Sequence, residues 1–272
     1  MSYYIIINTG VGRPEVVSVF DLQKASVLKR FSAFIFDAIL LGIIAVGISL
    51  GLSALTGYDA VSNEYTALLA QCESKYGVDF GITEDDYLAM DDESKATYDN
   101  AYAAFTSDER AMNLFKKTEN LTLLIITLGL FLAFFIYEFV VPLLLGNGMT
   151  LGKKVFSVAV MHRNGVRISP MALFVRAMLG KYAVETMVPI AVVLVLYFNI
   201  ITFDLALTVV AGMAIVQLVM IIRGKTNPLI HDAMAWTVAV DMDSQMIYDT
   251  EEDLIKAKEE FYAEKAAEDR SY

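Results

Sequence analysis

Cysteine is nearly missing. Cys72 is the one thiol in 272 residues, so neither an intramolecular disulfide nor a thiolate metal cluster can form. Histidine is scarce too: His162 and His231 are too few for the usual zinc site. Bases are outnumbered, 21 to 32, and a net charge of −11 argues against nucleic acid as a partner. A phosphate loop is absent as well. "GNGMTLGKK" has the wrong glycine spacing, and Lys154 follows Lys153 where Ser or Thr is required. The residues therefore predict no cofactor and no metal. A cleaved signal peptide is not expected either, because about thirty other residues precede the first apolar run.

What is abundant is apolar. Hydrophobic residues make up 56% of the chain, and the mean hydropathy of +0.52 points to a membrane protein with the lipid bilayer as its solvent. The acids are segregated: thirteen of the 32 lie in 57–117 and eleven in 241–272. The rest of the chain is slightly basic, so the acidity belongs to two appendages.

A helix needs about twenty apolar residues to cross the hydrocarbon. Segments at about 31–55, 120–145 and 204–222 satisfy this outright. The fourth, 169–198, opens on Ser169-Pro170, a helix start, and carries Arg176, Lys181 and Glu185 in its first half. It is expected to begin at the interface and cross past Pro189; a three-span arrangement with 169–185 on the surface is the competitor. Lys24, Lys29, Arg30, Lys153, Lys154, Arg163, Arg167, Arg223 and Lys225 flank one side of these spans. They predict a cell-membrane protein with both termini in the cytoplasm and the 57–117 loop outside.

Outside the lipid, Thr83 and Asp86 form a potential capping box, and Tyr98, Tyr102 and Phe105 recur at helical spacing. The outer loop should be helical. Asn164-Gly165 within "VFSVAVMHRNGVRIS" signals a hairpin, "AWTVAVD" a further strand and "YYIIINTGVGRPEVV" another hairpin. Together they predict a small cytoplasmic sheet. The tail from Thr250 onward reads as a solvated helix.

Three stretches resemble one family. "ASVLKRFSAFIFDAILL", "GMTLGKKVFSVAVMHRNGVRISPMALFVRAML" and "NPLIHDAMAWTVAVD" stand in the order found in the RDD membrane proteins. That family is named for an arginine and two aspartates. The resemblance covers about 25–55 and 118–241 and places the motif on Arg30, Asp37 and Asp232. It implies a membrane protein and permits transport or cation/proton exchange. The chain departs from the pattern in its long outer loop and in Trp236, which stands where the family usually has glycine.

An ionised aspartate in mid-helix costs about 2.5–3.5 kcal/mol on insertion scales, so Asp37 needs a partner or a proton. Arg30 is two turns away and is expected to snorkel to the headgroups. Asp37, Glu138, Arg176, Glu185 and Gln217 fall at a similar depth and predict a buried polar layer. Lys181 is four residues before Glu185, a spacing that could pair them. The layer is either a neutralised cluster that fixes helix register or a site for small cations or protons. For His231-Asp232, turn capping or pairing of Asp232 with Arg163, Arg167 or Arg223 is expected rather than catalysis. No nucleophile accompanies the pair, and an enzyme is not expected. Phe131, Phe134, Phe135 and Tyr137 read as lipid-facing or packing residues, and Trp236 as an interface marker.

The expected fold is an all-α membrane protein, a four-span helical bundle with a small cytoplasmic β-element and a helical extracellular loop. Its parts are a cytoplasmic segment 1–24, a transmembrane domain 25–241 carrying the acidic insertion 57–117, and an acidic tail 242–272. Transport or cation/proton exchange through the carboxylate layer is the leading function. The alternative is a non-catalytic assembly or regulatory subunit binding a protein partner through the outer loop or tail.

Overall fold

The computed structural model describes residues 4–7, 15–18, 20–197, 200–224 and 226–270. Strands β1 (Tyr4–Ile7) and β2 (Glu15–Ser18) pair antiparallel. Helices α1 (Val27–Thr56), α2 (Tyr58–Tyr76), α3 (Glu84–Ala89), α4 (Asp92–Ser107) and α5 (Glu109–Leu145) follow. Then come α6 (Leu151–Val155), β3 (Val158–His162), α7 (170–197) and α8 (Phe203–Arg223). Helix α9 (Ile230–Met234), β4 (Thr237–Asp241) and α10 (Glu251–Arg270) complete the order. Among the described residues, α1, α5 and α8 are long and apolar enough to cross a membrane.

The chain divides into two compact units, 1–43 with 133–272, and 44–132. The second holds the 57–117 insertion, helical as foreseen above, with the ends of α1 and α5 that carry it. Left-handed Gly57 (φ 68°) turns α1 into α2, and Thr83 and Asp86 close the capping box of α3. Asp91 caps α4. Phe80 meets Tyr98, Tyr102 and Phe105, while Tyr65 meets Phe105 and Phe115, so an aromatic core holds these short helices.

In the first unit Ser26 caps α1, its hydroxyl accepting the Lys29 amide at 3.2 Å. The β3–β4 ladder is antiparallel from Val158↔Asp241 to His162↔Thr237, with Val160↔Ala239 at its centre. Met149, Ala159, Met161, Val238 and Val240 form its core. The single cytoplasmic sheet expected from sequence is not formed: β1–β2 is a separate ladder. The Asn164-Gly165 turn exists, but its return arm meets β3 in a single bridge, Met161↔Arg167, on the edge away from β4, and Val166 bridges to Tyr248 instead of extending the hairpin. Turn residues around this ladder take positive φ at Gly146 (76°), Asn147 (47°), Gly148 (59°), Ser157 (52°), Gly165 (93°), Asn227 (48°) and Trp236 (53°).

Ser169 caps α7 by accepting the Ala172 amide. From Val175 to Met187 this helix winds in wide i→i+5 turns, and α5 does so from Phe135 to Val140. Wide turns of this kind are frequent where helices carry functional groups. Both stretches bear buried charge: Arg176 in α7 and Glu138 in α5. Thr250 accepts the Asp253 amide and starts α10, as the tail sequence implied.

Candidate functional site

Asp37 stands on α1 and is 4% exposed. Its Oδ1 accepts from the Tyr137 hydroxyl at 2.6 Å and from the Gly152 amide at 2.8 Å, and its Oδ2 accepts from the Thr150 hydroxyl. Thr150 is the N-cap of α6 and Gly152 its second residue, so the carboxylate meets the positive end of a short helix. Glycine is required at 152 for space. A Cβ there would lie 2.6 Å from both the Ala33 carbonyl oxygen and Asp37 Oδ1. The acid that interrupts the first apolar run is therefore satisfied by three uncharged donors, and among the described residues none of its hydrogen-bond partners is a cation.

Glu138 is set by α5 between two lysines. Lys181 Nζ is 2.5 Å from Oε1 and Lys153 Nζ is 3.8 Å from Oε2. Burial, with Lys181 and Arg176 nearby, outweighs the pull of Glu138 and lowers the Lys153 ammonium to about 8.

Asp232, 1% exposed, is clamped from two sides. Arg30 Nη2 reaches Oδ2 at 3.0 Å and Arg176 Nη1 reaches Oδ1 at 2.8 Å. Its Oδ2 also accepts the Leu229 amide at 3.2 Å, capping α9. Burial opposes its charge, but Arg176, His231 and Arg30 together hold it well below the usual carboxylate range. Beside it, Glu185 accepts the His231 amide at 3.1 Å and lies 2.8 Å from His231 Nδ1. Burial lowers the imidazole pKa against the pull of Asp232 and Glu185.

A partly open cavity of about 490 Å³ joins these groups. Arg30, Asp37, Glu138, Lys181, Glu185, Thr186, Gln217 and His231 furnish its polar wall, while residues such as Phe31, Phe34, Leu41, Phe134 and Ile221 furnish the apolar one. Four of the five layer residues expected from sequence line it. Arg176 opens instead on an adjoining space of about 70 Å³ that also touches Asp37, Lys153, Lys181 and His231. Among the described residues no group of three or more His, Cys, Asp or Glu is placed to hold a metal ion.

Several expectations change. Arg30 is held within the protein rather than left free to snorkel; it donates to the Asn227 carbonyl and to Asp232, the buried acid of α9. Asp232 does cap a turn, but its ion partners are Arg30 and Arg176 rather than Arg163, Arg167 or Arg223. Lys181 bonds Glu138 across helices instead of Glu185 along its own, since the wide turns of α7 alter the i,i+4 geometry. Tyr137 is buried and polar in role. Lys153, counted above among orientation-setting surface bases, is buried. Trp236 is 69% exposed with the Arg163 guanidinium 5.3 Å from its ring centroid. Tyr137, Thr150 and Lys153 were missed as site residues. For Thr150 and Lys153 the signal was the "MTLGKK" run, a Thr-capped turn with a buried-side lysine, which is ambiguous until Asp37 is placed against it; Tyr137 had none beyond its place one residue before Glu138.

The model of the RDD family matches residues 24–236. No curated protein and no solved structure matches the chain.

Proposed function

Because the chain belongs to the RDD family, a family of membrane proteins, we propose that it is a multi-pass transporter of the cell membrane that exchanges a small cation for a proton. One observation carries the reading: a cavity of about 490 Å³ gathers three carboxylates, a lysine, an arginine, a glutamine and a histidine from sequence-distant helices. Such groups are costly beside apolar spans and mark transport paths by default. In this reading α7 is a fourth span. Arg176, Lys181 and Glu185, which would forbid it in lipid, all have partners within the protein. Both termini then face the cytoplasm, as the distribution of lysine and arginine favours.

The geometry favours Glu138 over Asp37 as the exchanging carboxylate. Asp37 has its acceptor positions taken by three donors that carry no dissociable charge near neutral pH. Glu138 is neutralised by lysines, and one of them, Lys153, gives up its proton at about 8. A cation arriving at Glu138 repels the Lys153 ammonium and promotes loss of that proton. One positive charge enters as one leaves, and the buried layer keeps its balance of Asp37, Glu138, Glu185 and Asp232 against Arg30, Lys153, Arg176 and Lys181.

Cation-driven proton flux in proteoliposomes tests this with wild type, Glu138→Gln and Asp37→Asn. Flux should be present in the wild type, absent in Glu138→Gln and retained in Asp37→Asn. No flux in the wild type, or unchanged flux in Glu138→Gln, overturns the reading. The second reading, a non-enzymatic assembly or regulatory subunit, is favoured by the outer unit having an aromatic core of its own. A stoichiometric partner lost on deleting 57–117 would support it.

A further inference from the structure

Helix α6 and strand β3 reappear as α9 and β4. The shift is 79 positions, as from Leu151 to Ile230, and it also carries Val158–His162 onto Thr237–Asp241. Left-handed Gly148 maps onto left-handed Asn227, and left-handed Ser157 onto left-handed Trp236. The ladder obeys the same rule. Val160 pairs with Ala239, its own counterpart, and Val158↔Asp241 is exchanged with His162↔Thr237 by the shift. An antiparallel pair with such a register has a local two-fold through its centre.

The side chains follow the backbone. The Gly152 amide donates to a carboxylate from the earlier of the two long helices before it, Asp37 of α1. Its counterpart, the His231 amide, donates to Glu185 of α7. Each short helix also lies too close to that long helix for an extra methyl. A Cβ at Gly152 would meet Ala33 and Asp37, and one at Gly180 would meet His231. Glu138 of α5 maps by the same shift onto Gln217 of α8, and both line the one cavity.

The wide turns of α7 fit this scheme. Arg30 precedes Asp37 by seven residues and Arg176 precedes Glu185 by nine. An α-helix has 3.6 residues per turn and an i→i+5 helix roughly 4.4, so each arginine stands about two turns before its carboxylate. Both then reach the same aspartate from opposite sides.

We infer that the first unit is built from two copies of one element, long helix, long helix, short capped helix and strand, related by a two-fold at Val160–Ala239. Glu185 and Gln217 hold in the second copy the places of Asp37 and Glu138 in the first, and the cavity lies between the copies. Glu185 is thus a positioning residue for α9, as Asp37 is for α6. Gln217 is the position at which the cavity's charge differs between halves. Sites between repeats are a general feature of transporters, but the assignment does not rest on transport.

Amide hydrogen exchange tests the equivalence in the full chain. Asp37→Asn should speed exchange at Gly152, and Glu185→Gln should speed it at His231, each by about tenfold as one charge-assisted bond is weakened. Each effect should be confined to its own short helix. A double-mutant cycle tests the cavity positions. Glu138→Gln and Gln217→Glu should each lower Tm, and the double variant, which restores the net charge, should stand above both. Loss of protection at only one amide, or additive Tm losses in the double variant, overturns the inference.

Discussion

Replacing Asp37 by alanine strands three donors in a site where the residue is 4% exposed: the Tyr137 and Thr150 hydroxyls and the Gly152 amide. A buried group left without its partner costs about 1–3 kcal/mol. Both hydroxyls can turn toward other acceptors and so fall at the low end, whereas the Gly152 amide is fixed by the backbone. The sum is about 4 kcal/mol, and for a chain of this size it lowers Tm by roughly 8–16 °C. Asparagine is the informative companion. Its carbonyl oxygen keeps Tyr137 and Gly152 as donors, and its amino group faces the Thr150 oxygen, which can accept. What goes is the charge assistance, about 1–2 kcal/mol or roughly 3–6 °C. Thermal unfolding in detergent, followed by the fluorescence of Trp236, gives the comparison. The order should be wild type, Asn, Ala, with the larger gap before Ala. Equal losses for Asn and Ala would mean that charge, not hydrogen-bond acceptance, holds the site, and the account of Asp37 as a cap would be refuted.

Lys153 sets a pH dependence. Its folded-state pKa of about 8 is below the ordinary 10.5, so between these values the unfolded chain binds the extra proton and stability rises with pH, by at most about 1.4 kcal/mol per unit. The Tm of wild type relative to Lys153→Met should therefore climb from pH 7.5 to 9.5; a flat difference contradicts the buried ammonium. At Gly180, alanine would set its Cβ 2.5 Å from His231 Cβ and should cost about 1–3 kcal/mol, while Gly212→Ala, with nothing within 4 Å, should be neutral or gain up to about 1 kcal/mol. Similar Tm values for the two would show that α9 does not press on α7. Trp236 holds a left-handed conformation that costs a bulky residue about 1–2 kcal/mol, against about 0.5–1 kcal/mol for an exposed cation–π contact. Trp236→Gly should equal or exceed wild type in Tm and Trp236→Ala should fall below it; identical Gly and Ala variants would dismiss backbone strain.

The spans, caps and outer helices were legible because their signals are local. Apolar length marks α1, α5 and α8, and Thr83–Asp86 and Thr250–Asp253 stand three residues apart in the chain. The depth of Asp37, Glu138, Arg176, Glu185 and Gln217 could be counted from span ends, but a shared cavity lining, as for four of them, is visible only in the structure. Their partners could not be counted. Tyr137, Thr150 and Gly152 reach Asp37 across a hundred residues or more, and nothing in "KYAVET" announces wide turns that send Lys181 to Glu138. The sheet was misjudged for a related reason. Asn164-Gly165 is a strong local turn, but the long partner of β3 lies far downstream in β4, and the return arm of the turn is drawn to Tyr248, neither of which a local signal announces.

Arg30 and Asp232 are 202 residues apart in the chain. A ribosome adding about 5–20 residues per second needs on the order of 10–40 s to travel from one to the other. Through that interval the first helix has a bare guanidinium, and for its first half also a carboxylate whose donors, Tyr137, Thr150 and Gly152, have not been made. The nascent protein must therefore tolerate, or be chaperoned through, a stage that the finished one never revisits. Any premature stop before codon 232 would leave a first span with its arginine uncompensated, a natural mark for quality-control proteolysis.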